Sequence, residues 1–121
     1  MTCEHAFADL SGVAASRLSD AQGLGALLLA AANAAGLHPA APPFVQAGPH
    51  GVSAVLVCHG GHVAIHAVPD AGLCFADLAA LGAAHPQRGV GVIIRRLAAR
   101  DVHTEARHRG PAAHPSQMER P

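Results

Sequence analysis

From His62 to Val68 the chain reads His, Val, Ala, Ile, His, Ala, Val, so residues two apart form one polar or small set and one apolar set. That period predicts a strand buried on one side. Before it, His5 to Leu10 predicts a first strand with Phe7 set among small residues, and Ser19-Asp20 offers an N-cap for a helix running to about Ala35. Gly36 ends that helix. The segment HPAAPP, His38 to Pro43, predicts a loop because its prolines remove backbone donors, and Phe44 to Ala47 reads as a short strand before the Gly48-Pro49 turn. The β-branched run Val52 to Cys58 predicts another strand, turned by Gly60-Gly61 into the one at His62. After a turn at Pro69-Asp70 and Gly72, Leu73 to Ala80 predicts a further strand, and Val90, Ile93, Ile94 and Leu97 recur at the spacing of an amphipathic helix. Val102 to Arg107 predicts an edge strand. The order βαββ followed by βαβ predicts an α+β fold, a two-layer α/β sandwich whose antiparallel sheet carries two helices on one face. Residues 1–110 form one domain in this reading, and 111–121 a mobile tail with nothing to bury.

Composition narrows what such a domain can do. Half of the 121 residues are apolar, yet alanine is abundant and the aromatics are three Phe with no Tyr or Trp. Each buried side chain then contributes little area at about 25 cal/mol per Å², and burial against a second copy is the expected remedy. The formal charge is zero with no basic cluster or aromatic ladder, which argues against nucleic acid as a partner. No stretch approaches the roughly 20 apolar residues of a membrane span, and acidic Glu4 and Asp9 stand near the start where a basic leader would be. A cytoplasmic protein is expected. Cys3, Cys58 and Cys74 are odd in number and lack metal-ligand spacing, which reads as reduced thiols. All eight basic residues are Arg, so no lysine is present to hold pyridoxal phosphate as a Schiff base.

The stretch GVSAVLVCHGGHVAIHAVPDAGLCFADLAALG, from Gly51 to Gly82, resembles the core of the bacterial and archaeal S-adenosylmethionine decarboxylase family, whose members read GVSG, a short apolar strand, ESH, IH, a Pro-Glu pair and DVFTCG. Without a gap, Ser53, His62, His66, Pro69, Gly72, Asp77 and Gly82 fall on the family's positions. HAFADLSG from His5 to Gly12 resembles the family's opening strand, Asp20 with Leu24, Leu27, Leu28, Ala31 and Gly36 its first helix, and DVHTEARHRG from Asp101 to Gly110 its last strand. The departures lie at the chemistry. Gly60 and Gly61 fall on the Glu-Ser pair whose serine, in the family, attacks its own preceding peptide bond and becomes the pyruvoyl group. Leu81 falls on the catalytic cysteine, and Asp70 on the glutamate after proline. The resemblance therefore implies the family's fold, a dimer with its sheets facing, and a site near that interface, but no pyruvoyl cofactor.

On strand parity His62, Ala64 and His66 share a face with one another, as do Ser53, Val55 and Val57, while Cys58 and Cys74 lie on the opposite side from these and from Leu81. The spacing His59, His62, His66 invites a metal reading. Four strand residues separate His62 and His66 by about 13 Å, too far for one zinc, so no metal site is expected. The resemblance gives His66 and Ser53 roles in self-processing. Without the serine the two are either remnants or now serve a ligand directly, His66 with His62 as catalytic bases or donors and Ser53 as an orienting hydroxyl. Gly60 and Gly61 are expected to leave room and backbone N–H groups for a substrate carboxylate, and Asp77 and Asp9 to attract an ammonium or sulfonium.

Two functions follow as expectations. One is an enzyme that takes S-adenosylmethionine as substrate or ligand and releases methylthioadenosine by intramolecular cyclisation or a lyase reaction, with the orientation of a bent substrate supplying much of the rate. The alternative is a non-catalytic partner or regulator of an active S-adenosylmethionine decarboxylase in polyamine synthesis, as a homodimer or as a heteromer with that relative.

Overall fold

A computed structural model describes residues 1–111 of the chain, so the expected tail lies, apart from Pro111, outside the described residues. Six strands form one antiparallel sheet: β1 (Cys3–Ser11), β2 (Phe44–Gly48), β3 (Gly51–Cys58), β4 (Gly61–Val68), β5 (Leu73–Leu81) and β6 (Asp101–Arg109). Their order across the sheet is β2-β3-β4-β5-β1-β6. The helices are α1 (Ala15–Leu18), α2 (Ala21–Ala35) and α3 (Pro86–Leu97). The strands and the two long helices stand where the residue pattern puts them, with ends moved by a few residues.

The helix ends have local causes. Asp20 caps α2 by accepting from the Gly23 N–H at 3.0 Å, and Gly36 ends it at φ 80°. α3 begins at Pro86, four residues before the first apolar position of the expected pattern, because proline suits the first helical turn, where its missing N–H has no partner to lose. Helix α1 was not expected, and it makes three helices where two were read. It is one turn without a side-chain cap, held by buried Leu18 and by an Arg17 Nη1 hydrogen bond to Arg96 O at 2.8 Å.

All the alternation resolves to one side. Ala6, Ala8 and Leu10 of β1, Ala54 and Leu56 of β3, Val63 and Ile65 of β4, and Cys74, Ala76 and Leu78 of β5 are buried under the helices. The two long helices approach closely enough that Gly89 of α3 faces Ala31 O, where a Cβ would stand only 2.7 Å away. Small side chains let the layers close, and no polar or charged residue is buried among the described residues. No described helix is long and apolar enough to cross a membrane.

Candidate functional site

Among the described residues, no helix covers the other face of the sheet. Residues there alternate with the core positions, so each strand supplies its polar and odd-phase side chains: Ser53 from β3, His62 and His66 from β4, Phe75 and Asp77 from β5, and His5, Phe7 and Asp9 from β1. Among them stand exposed apolar groups, with Phe44 63%, Val57 55% and Leu81 50% accessible.

Register divides the polar residues into two groups. In one row, Ser53 lies opposite His66, His66 opposite Phe75, and Phe75 opposite Asp9. Ser53 Oγ and His66 Nδ1 share a hydrogen bond of 2.9 Å, beside a groove of about 330 Å³ that reaches the His50-Gly51 turn. Phe75 separates that pair from Asp9. Asp9 itself lines a different hollow of about 280 Å³ with Phe75, Asp101 and His103.

In the second row, His62 and His5 flank Ala79, whose methyl is short enough for both imidazoles to turn towards Asp77. His5 Nε2 contacts Asp77 Oδ1, and His62 Nε2 lies 3.3 Å from Asp77 Oδ2. Partial burial alone would raise the Asp77 carboxyl, but hydrogen bonds from His5 and then His62, with the attraction of both rings, outweigh it and hold the group below its ordinary value. Asp77 is thus an anion whose two oxygens are already engaged. His5 was not among the residues read as a site, because its partner is 72 positions away and nothing local marks it.

The two glycines differ. Gly60, at φ 75°, turns the β3–β4 hairpin and has open space on its Cβ side, with only Leu81 Cβ at 3.9 Å. Gly61 is the first residue of β4, paired with Cys58 and Ala80, and a Cβ there would meet Ala79 O at 2.4 Å and Leu37 Cδ2 at 3.0 Å. The vacancy expected at Gly61 is therefore absent on that side, because the strand is embedded in the sheet. His62 and His66 belong to separate groups, and no set of three His, Cys, Asp or Glu that could hold a metal occurs among the described residues.

Cys58 and Cys74 face the helices, where burial pushes both thiols up, Cys74 to about 12. Cys3 is different. It sits half-buried on β1 directly opposite Leu81, in the open-face phase that His5 shares.

A family model described as S-adenosylmethionine decarboxylase matches residues 4–110. The chain is similar to the S-adenosylmethionine decarboxylase proenzyme of Aquifex aeolicus (strain VF5), at 29% identity over 88% of this chain and 79% of that protein. It is similar also to the proenzyme of Sulfurihydrogenibium sp. (strain YO3AOP1), at 28% identity over 88% and 80%. A crystal structure of the adenosylmethionine decarboxylase from Aquifex aeolicus VF5 superposes with a TM-score of 0.80 at 27% identity, covering 89% of this chain and 90% of that one.

Proposed function

Because the chain belongs to the S-adenosylmethionine decarboxylase family, we propose that it binds S-adenosylmethionine on the open face of its sheet and consumes it without a pyruvoyl group, releasing methylthioadenosine by intramolecular cyclisation or a lyase reaction. The observation that carries this reading is Gly61. Glycine has no hydroxyl to attack the preceding carbonyl, and a Cβ at this position would lie within 2.4 Å of Ala79 O, so the residues present do not fit a serine-derived group. With no lysine in the sequence, a pyridoxal Schiff base is closed as well.

The sulfonium offers chemistry that needs no electron sink. When the methionyl chain is held bent, its own carboxylate oxygen or amine nitrogen attacks Cγ, the Cγ–S bond breaks, and the electron pair leaves on sulfur as neutral methylthioadenosine. Holding the reacting atoms in line is worth several kcal/mol of barrier, on the order of the gain from intramolecular reaction. His66, steadied by Ser53, is the general base or donor beside its groove, and His62 serves the second group. Asp9, whose carboxylate has no side-chain partner among the described residues, attracts the cationic substrate, and Gly60 gives backbone access at the opposite end of the open face, beside Leu81. Asp77 acts through the histidines it holds rather than by taking an ammonium directly.

A second reading is favoured by the exposed Phe44, Val57, Phe75 and Leu81, which suit burial against another sheet of the same kind. On that reading the chain is a non-catalytic partner of an active decarboxylase, as homodimer or heteromer. Incubation of purified protein with S-adenosylmethionine separates the two. Methylthioadenosine without carbon dioxide supports the enzyme, release of carbon dioxide overturns the pyruvoyl-free reading, and neither product leaves the partner role. Intact-mass measurement supplies the companion check, with one uncut chain expected.

A further inference from the structure

We propose that Cys3, His5 and Asp77 form an acid–base unit at the Gly60 end of the open face, in which Asp77 orients His5 and His5 takes the proton of the Cys3 thiol. The inference rests on the S-adenosylmethionine reading for its substrate and on the geometry of β1, β4 and β5 for its parts.

Cys3 and His5 are two apart on β1 and share its open side, with about 7 Å between their Cα atoms. The Cys3 thiol rests on Glu4 O at 3.7 Å, and a rotation about its Cα–Cβ bond is what brings it to the imidazole. Asp77 engages Nε2 of His5, which places the ring proton on that nitrogen and leaves Nδ1 as the acceptor. His62 holds the second Asp77 oxygen, so the carboxylate is fixed from both sides. This is the order nucleophile, base, orienting carboxylate that activates a thiol. The neighbours on β6 add to it. Arg109 lies opposite Cys3 and Arg107 opposite His5. Arg107 is drawn to Glu105 at 2.8 Å, which leaves Arg109 as the cation beside a developing thiolate. On β5, Cys3 faces Leu81, whose N–H donates to Gly60 O at 2.8 Å, so the thiol stands one strand from the hairpin glycine. The two other thiols are buried on the helix side and take no part. The unit gives the site a group that accepts or returns one proton beside a bound sulfonium substrate. Cys3 is its catalytic residue, and His5 and Asp77 position and poise it.

Iodoacetamide labelling of the full chain, read by peptide mass spectrometry across pH, tests this without requiring turnover. Cys3 is expected to label at pH 7 at least ~10-fold faster than an unstructured cysteine peptide, while Cys58 and Cys74 stay unlabelled. His5→Gln is expected to slow Cys3 labelling at least ~5-fold, and Asp77→Asn to slow it as well, because nothing then fixes the His5 ring with Nδ1 as the acceptor. Unchanged Cys3 kinetics in both folded variants, checked by circular dichroism, overturn the unit. Saturating S-adenosylmethionine is expected to protect Cys3. His5-dependent labelling without that protection supports the unit and removes S-adenosylmethionine as its ligand. Protection without any His5 or Asp77 dependence overturns the unit and leaves the ligand.

Discussion

The two faces of the sheet are made by the same strands and differ in almost everything else. On the helix side β4 presents Val63, Ile65 and Ala67, each at most a few per cent accessible, and on the open side it presents His62, Ala64 and His66. One set pays for folding and the other is free to carry chemistry. Because the period is two, a single strand serves both ends without compromise, and a substitution on one face is expected to spare the property seated on the other.

The sharpest way to break that division is in the core. Leu78→Ala, which empties a fully buried position between β5 and the helices, is expected to cost about 3 kcal/mol, and urea unfolding at neutral pH measures it. A loss under ~1 kcal/mol would mean the helix layer is not the main source of stability. Next comes Gly61→Ser, at a point where the strand backbone, not either face, decides. The new Cβ must displace Ala79 O or shift β4, so a loss of about 1–3 kcal/mol is expected with the chain still intact by mass. Two fragments from this single change would show that the hairpin accommodates self-cleavage.

On the open side the effect should fall on activity. His66→Ala removes the ring hydrogen-bonded to Ser53 and is expected to slow methylthioadenosine release about tenfold while moving the unfolding free energy by less than about 0.5 kcal/mol. An unchanged rate excludes His66 from the mechanism. The smallest effect concerns acid. Folding lowers the Asp77 carboxyl below its ordinary value near 3.8, so its contribution is fully present above that value and is lost as pH falls through the lower folded one. Asp77→Asn should therefore flatten the stability profile below about pH 4, and the difference should be under ~1 kcal/mol because the side chain is 43% accessible and screened. An identical acid profile would show that the His5 and His62 contacts do not persist in solution.

The alternation that separates the faces was readable in the residues, as were the cap at Asp20 and the stop at Gly36, since each depends on neighbours within a few positions. Helix α1 was not, because Ala15 to Leu18 lacks a cap and is held by burial of Leu18 and by Arg96 from far along the chain. The site shows the same rule. Ser53 and His66, both named by family resemblance, face each other across one hairpin, so their adjacency follows from local register. His5 and Cys3 acquire meaning only when β1 is laid beside β5, and β1 parity was the signal that would have placed Cys3 with His5 rather than with the buried thiols. Parity also could not tell Gly60 from Gly61, which differ in what the neighbouring strand puts against them.

The position of β1 between β5 and β6 has a consequence for how the chain is made. This strand finds no neighbour until residues 73–81 have emerged from the ribosome, and acquires the second only with residues 101–109. At about 5–20 residues per second that leaves β1 waiting for seconds, while the β3–β4–β5 meander, whose contacts are local, is able to assemble ahead of it. Late insertion of β1 therefore closes the sheet, and it is the same event that brings His5 to Asp77.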